Sequence, residues 1–128
     1  MPMTTTDTTA TIAERYLAAW NATDPAERRA ALEATWTPEC RFTDPMADTT
    51  GYDELTAFMG GVDAQFAGHR FVLSSNVDTH HDLVRLAWDL VGPDGTVAAV
   101  GHDTLTLAAD GRIAVVTGFF GPLERVAA

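Results

Sequence analysis

Hydrophobic positions in the first part of the chain recur at helical spacing. Ile12, Tyr16, Ala19 and Trp20 follow one another at i, i+4, i+7 and i+8, which places them on one face of a helix. The pattern predicts an amphipathic helix over residues 11–22, with that face toward the core.

A second helix is indicated by its capping residues. Asp24 can accept hydrogen bonds from the first turn, Pro25 suits the first helical position, and Glu27 completes a capping box. Pro38 is expected to end this helix, because proline cannot continue one. Its apolar stripe comprises Ala31, Leu32, Thr35 and Trp36.

The next segment combines a short strand, a turn and a third helix. Residues 40–43 form the predicted strand, which runs into a turn at Asp44-Pro45 because Pro45 disfavours helical geometry at Asp44. After a break at residues 49–51, residues 52–66 show helical spacing again, although Gly60-Gly61 weakens the helix. Its apolar positions are Leu55, Phe58, Met59, Val62 and Phe66.

From residue 68 onward the pattern changes to alternation of apolar and polar residues, with many β-branched side chains. Four strands are predicted over residues 70–77, 83–91, 97–108 and 112–120. Pro93-Asp94-Gly95 and Ala109-Asp110-Gly111 give the last two connections the composition of hairpin turns, and His80-His81-Asp82 forms the turn before them. Helices followed by a meander of strands indicate the α+β class.

Asp103 is unusual because it lies in the middle of a strand. Alternation places it on the mostly apolar face, where an ionised carboxylate is costly and its pKa should rise. The alternatives are a role in a pocket and a satisfied structural carboxylate. His102 falls on the opposite face and becomes an alternative acid or base only if a bulge shifts the alternation. The face of Asp103 comprises Val97, Ala99, Gly101, Asp103, Leu105 and Leu107.

The apolar faces of the strands can also line a pocket. On the strand 83–91 the inward positions are Val84, Leu86, Trp88 and Leu90. Together with residues of the helices and the other strands they would bind a hydrophobic small molecule, or simply fill the core. The proposed lining residues are Trp20, Phe42, Phe58, Met59, Val72, Trp88, Val116 and Phe120.

Composition and charge exclude several classes of protein. The chain has 128 residues, 46% of them hydrophobic and 20% charged, which is typical of one soluble globular domain. The net charge of −10, without a single lysine, disfavours nucleic acid and anionic membranes as partners. Cys40 is the only cysteine, and the sequence contains no recognisable metal or cofactor motif. We expect a cytoplasmic location, a flexible N-terminus over residues 1–10, a domain over 11–123 and a tail over 124–128.

The order of these motifs resembles the nuclear-transport-factor-2-like superfamily, in its SnoaL-like and ketosteroid-isomerase-like branch. The resemblance extends from Glu14-Arg15-Tyr16-Leu17 to Gly118-Phe119-Phe120-Gly121. It implies that the three helices pack on a curved antiparallel sheet, forming a cone with an internal pocket, and that two copies dimerise through the outer sheet face. The motifs are Tyr16 and Trp20 followed by Asp24, the segment Arg41-Phe42-Thr43-Asp44-Pro45, Gly51, Gly101-His102-Asp103 and Asp110-Gly111-Arg112-Ile113.

The resemblance also implies roles for three residues. Tyr16 and a protonated Asp103 correspond to donors that hydrogen-bond a substrate oxygen, and Asp44 corresponds to the base that moves the proton. The residues themselves leave simpler alternatives open. Asp44 can cap the backbone amides of its turn, and the Tyr16 hydroxyl can be tied to Asp103 or Asp44 within the core.

The function that follows is proton transfer next to a carbonyl of a hydrophobic substrate, without a cofactor, as in an isomerase, cyclase or lyase. A reaction like that of limonene epoxide hydrolase is disfavoured, because that relative needs an Arg and an Asp two residues apart on the pocket face of one strand. Here Arg85 is followed at that spacing by Ala87, and Asp103 is preceded at that spacing by Gly101. The alternative is a non-catalytic module of the same fold that binds a small ligand or dimerises.

Overall fold

The computed structural model describes residues 5–127, with side chains from residue 11 onward. The predicted flexible segment 1–10 and the tail 124–128 therefore fall partly outside the described residues. The elements of the described chain are α1 (Thr5–Asn21), α2 (Pro25–Thr35), β1 (Trp36–Asp44), β2 (Ala47–Thr50), α3 (Gly51–Gln65), β3 (Arg70–Leu73), β4 (Asp78–His80), β5 (Leu83–Val91), β6 (Val97–Leu107) and β7 (Ile113–Phe120).

The strands form one open sheet that lies against the three helices. Its order is β2-β1-β7-β6-β5-β3, with β4 also paired to β5. The predicted α+β architecture is confirmed, with one refinement. β1 and β7 run parallel, so the sheet is mixed, whereas the other strand pairs are antiparallel.

Helix ends follow local chemistry. Asp24 caps α2 as predicted, because its Oδ2 accepts a hydrogen bond of 2.9 Å from the Glu27 amide. α1 begins at Thr5 rather than at the predicted residue 11. α3 begins at Gly51, whose φ of +83° is a conformation that glycine adopts without strain.

β1 is longer than predicted, and Trp36 belongs to it rather than to α2. Trp36 has extended backbone geometry, is fully buried and pairs with Ile113 of β7. Burial of this large ring in the sheet ends the helix before Pro38 is reached. Pro38 lies where the register between β1 and β7 shifts, a position that tolerates a missing amide donor.

Three departures concern short strands. β2 pairs with β1 across a segment predicted as a break, and β4 occupies part of the predicted turn at residues 80–82. The single strand predicted over 70–77 is divided, because β3 stops at Leu73. Ser74 and Ser75 follow it and favour turns. The Ser74 amide donates to the Ala87 carbonyl oxygen of β5, and the Ser75 hydroxyl accepts from the Ala87 amide.

The core lies between the helices and the inner face of the sheet. Val84, Leu86, Trp88 and Leu90 of β5 are buried, as alternation predicted. Among the described residues, no helix is long and apolar enough to cross a membrane. Within the same range, no group of three or more His, Cys, Asp or Glu side chains is arranged to hold a metal ion.

Candidate active site

A cavity of about 230 Å³ opens between α1, α3 and the inner face of the sheet. Its walls are mainly aromatic. The Trp20 ring lies at the centre of this wall, with ring-centroid distances of 5.2 Å to Phe42, 6.0 Å to Phe58 and 5.5 Å to Phe71. A wall of this kind accommodates a small apolar molecule.

Five of the eight proposed lining residues do line the cavity. They are Trp20, Phe42, Phe58, Trp88 and Phe120. Met59 and Val116 do not, since both are fully packed into the core, at 1% and 0% exposure. Met59 follows Phe58 on α3 and is rotated by about 100° around the helix axis, so it points away from the cavity.

Several lining residues were not foreseen. Phe71 lines the cavity, whereas Val72, which was expected there, is 45% exposed. Phe71 pairs with Leu90 of β5, and residues directly opposite in an antiparallel pair share a face, so the inward position of Leu90 fixes that of Phe71. Leu90 lines the cavity as the alternation of β5 predicted, whereas Val84 and Leu86 of the same face are packed into the core. The lining residues that were not predicted are Leu17, Met46, Val62, Gln65, Phe66, Phe71, Ala99 and Phe119.

Asp103 is the polar centre of the cavity. Its residue is only 5% exposed, and its Oδ2 accepts two hydrogen bonds. The Tyr16 hydroxyl donates one at 2.6 Å, and the Trp88 indole Nε1 donates the other at 3.1 Å. The alternative in which the Tyr16 hydroxyl is tied to a buried carboxylate is therefore what the structure shows.

Two glycines make room for this arrangement. A Cβ on Gly101 would lie 2.7 Å from Cε2 of Trp88, so glycine allows the indole to cross β6 and reach Asp103. A Cβ on Gly118 would lie 2.5 Å from Oδ1 of Asp103 and 3.4 Å from Cβ of Asp44. Gly118 of β7 thus separates the two carboxylates and leaves Oδ1 of Asp103 on the side of Asp44.

Asp44 contributes the second carboxylate of the cavity. Its Oδ1 accepts a hydrogen bond of 2.8 Å from the Met46 amide, so the predicted capping of the turn is present. Partial burial raises the pKa of Asp44, and the hydrogen bonds from the Met46 and Ala47 amides partly offset that rise. The Asp44 side chain therefore caps the turn and lines the cavity at the same time.

Burial also governs the titration of Asp103 and Tyr16. Loss of hydration raises the pKa of Asp103 to about 6, against the lowering effect of the bonds from Tyr16 and Trp88, while the negative charge of Asp44 raises it further. The pKa of Tyr16 is raised well above its ordinary value, first by burial and then by the charge of Asp103. Tyr16 therefore remains a donor at physiological pH.

His102 lies on the other face of β6. The register between β5 and β6 is continuous around Ala87 and His102, so no bulge shifts the alternation there. The imidazole Nδ1 lies 3.0 Å from the Gly121 carbonyl oxygen, and its ring stacks on Phe119 at 5.7 Å. The structure therefore places His102 outside the set of cavity-lining side chains.

Comparison with known families identifies this architecture. Residues 13–116 match the model of the SnoaL-like domain. The chain belongs to the SnoaL-like family. Its fold is shared by nuclear-transport-factor-2-like and ketosteroid-isomerase-like proteins.

Solved structures of SnoaL-like proteins agree with the assignment. One from Agrobacterium tumefaciens, described as a candidate isomerase, is 36% identical, with a TM-score of 0.87 over 91% of this chain and 99% of that one. A candidate SnoaL-like polyketide cyclase from Jannaschia is 20% identical, with a TM-score of 0.74 over 94% and 90%. A SnoaL-like protein of unknown function from Burkholderia thailandensis is 13% identical, with a TM-score of 0.72 over 94% and 100%. No curated protein gave a match.

Proposed function

We propose that this SnoaL-like protein is a cofactor-independent enzyme that transfers a proton next to a carbonyl group of a small hydrophobic substrate, as an isomerase, cyclase or lyase. The observation that carries the proposal is the pair of carboxylates, Asp44 and Asp103, at the polar end of an aromatic cavity. Two carboxyl groups in different environments can divide the roles of base and acid.

Asp44 is the proposed base, because it is the less buried of the two and keeps contact with backbone donors that favour its charged form. It would remove the proton from the carbon next to the carbonyl and return it to another carbon or to a leaving group. The negative charge that leaves Asp44 passes to the substrate oxygen as an enolate.

Asp103 in its protonated form, whose population grows as the pH falls toward its pKa of about 6, is the proposed donor to that oxygen, through Oδ1. When Oδ1 carries the proton, Oδ2 is a carbonyl-type acceptor for Tyr16 and Trp88, which is the pattern of hydrogen bonds observed. As the enolate draws this proton toward itself, negative charge grows on Asp103, and the two donors stabilise it. Tyr16 and Trp88 are then positioning residues that act through Asp103.

Deuterium exchange tests the proposal whatever the final product is. The protein would be incubated in D₂O with a panel of small cyclic ketones and enones, and NMR would follow exchange of the protons next to the carbonyl. We expect Asp44→Asn to reduce exchange to background and Asp103→Asn to retain part of it. Asp82→Asn, which alters an exposed carboxylate in a turn, serves as the control and should leave exchange unchanged.

Exchange that is absent across the panel would refute proton transfer and favour the non-catalytic ligand-binding module. Equal loss in Asp44→Asn and Asp103→Asn, or a larger loss in Asp103→Asn, would contradict the division of roles between the two carboxylates.

We also propose a homodimer through the outer face of the sheet. Arg85, Thr104 and Thr117 follow one another across β5, β6 and β7 on that face. The stacked pair of His102 and Phe119 adds aromatic surface beside them. In a two-fold interface the same patch of both copies meets, and this mixed polar and aromatic face is the patch that we propose for it.

A further inference from the structure

The cavity combines negative charge with aromatic walls and has no cation of its own. Among the described residues that line it, Asp44 and Asp103 are the charged groups, and no Arg or His is present. Five of the eight arginines of the chain form ion pairs outside the cavity, with carboxylates that do not line it. Among the described residues, neither Asp44 nor Asp103 forms an ion pair with an arginine or a histidine.

The hydrogen-bond donors of the polar end are already engaged. The Tyr16 hydroxyl and the Trp88 indole both donate to Asp103. The remaining side-chain donors of the lining are neutral: the Trp20 indole, which interacts with the Tyr16 hydroxyl, and the amide of Gln65 at the C-terminal end of α3. An anionic ligand would meet two carboxylates here and no charged donor, so the site disfavours anions.

The walls supply what a cation requires. The ring centres of Phe42, Phe58 and Phe71 each lie within 6.0 Å of the ring centre of Trp20. Aromatic rings attract a positively charged group through their quadrupoles, and the attraction grows when water is excluded. Carboxylates at one end and aromatic rings around it form a receptor for an organic ammonium group.

We infer that the substrate of this cavity is a small carbonyl compound that also carries a protonated or quaternary amine. The inference rests on the proposed proton transfer for the carbonyl part and on the charge of the cavity for the amine. An ammonium group would stabilise the new enolate, because positive charge on the substrate compensates the negative charge that Asp44 hands over.

Isosteric ligands separate charge from shape. Phenyltrimethylammonium and tert-butylbenzene have the same outline and differ in one positive charge, and benzoate provides an anion of similar size. Calorimetry at pH 8 should show the cation binding at least about tenfold more tightly than the neutral isostere. Benzoate should not bind. Equal affinity for the two isosteres, or no binding of the cation, would overturn the inference.

The source of the preference is tested by substitution and by pH. In Asp44→Asn and in Asp103→Asn the advantage of the cation should fall several-fold, whereas Asp82→Asn should retain it. Binding of the cation should weaken as the pH falls through the titration of Asp103. The groups that face this carboxylate are Asp44 of β1, Tyr16 of α1 and Trp88 of β5, with His102 next to it on the other face of β6. A cation preference that both carboxylate variants retain in full would assign it to the aromatic walls alone and overturn the role of the carboxylates.

The binding and exchange experiments fail independently. Deuterium exchange of neutral ketones without any preference for the cation would overturn this inference and leave the proposed function in place. Preference for the cation without exchange of any ketone, including amino ketones, would refute proton transfer and with it the carbonyl part of the substrate.

Discussion

Replacement of Asp103 by asparagine should make the protein more stable at neutral pH. The carboxyl is buried and has a pKa of about 6, compared with an ordinary value of 3.8. A group whose pKa is higher in the folded state costs stability as the pH rises, because the folded protein binds the proton more tightly than the unfolded chain. The cost begins near the unfolded value and is complete above the folded one.

The difference between these two values corresponds to roughly 3 kcal/mol at pH 8 and about half of that at pH 5. Asparagine has nearly the same shape and carries no charge. Its carbonyl oxygen can accept from Tyr16 and Trp88 as Oδ2 does now, and its amide can face Asp44. The variant should therefore recover most of the stability that ionisation of Asp103 costs the wild type, and it should retain only part of the exchange activity.

Urea unfolding followed by circular dichroism at pH 8 and pH 5 measures the effect. The free energy of unfolding of Asp103→Asn should exceed that of the wild type by about 1–3 kcal/mol at pH 8 and by about half as much at pH 5. Asp82→Asn should show no gain that depends on pH. A variant that is less stable than the wild type by the same amount at both pH values would refute the reasoning, since a lost hydrogen bond rather than a relieved charge would then dominate.

Four further outcomes are expected. Trp88→Phe removes one donor to Asp103 and keeps an aromatic ring, so the pKa of Asp103 should rise above about 6. Carbon-13 NMR titration of the Asp carboxyl groups measures this pKa. An unchanged pKa would show that the indole hydrogen bond does not lower it. Gly101→Ala places a Cβ 2.8 Å from the Phe119 carbonyl oxygen as well as against Trp88, which should cost about 1–3 kcal/mol of unfolding free energy. Gly61→Ala, where a Cβ meets no atom within 4 Å, should instead stabilise α3 by about 0.5–1 kcal/mol. Changes in unfolding free energy that have the same sign in both glycine variants would contradict the packing described. Thr104→Glu, in the middle of the outer sheet face, should convert the proposed dimer to a monomer in sedimentation experiments at a protein concentration where the wild type is dimeric, whereas a wild type that is monomeric throughout would refute the dimer.

Local patterns were sufficient for most elements and for the main polar residue. Alternation along the predicted strand 97–108 placed Asp103 on the inner face, and the capping motif that begins with Asp24-Pro25 located the start of α2. In both cases the decisive interactions involve residues close in sequence or a strict period of two. The same period of two places His102 on the outer face, because the register between β5 and β6 is continuous at this residue.

What could not be predicted depends on contacts between distant segments. The phase of Phe71 follows from its pairing with Leu90, and no feature of residues 70–73 alone reveals that register. Likewise, the bond from Trp88 to Asp103 requires the space above Gly101. Glycine in a strand can signal such an approach, but the sequence does not indicate which side chain uses the space.

The parallel pairing of β1 with β7 determines the order in which the cavity can be completed during synthesis. β7 lies between β1 and β6, so until it has left the ribosome the sheet exists at most as two separate pieces, one with Asp44 and the other with Asp103. The last strand joins them and also brings Gly118 between the two carboxylates. Pairing over so long a stretch of chain slows folding, and a chain truncated before Ile113 would lack the proposed chemistry even if its helices formed.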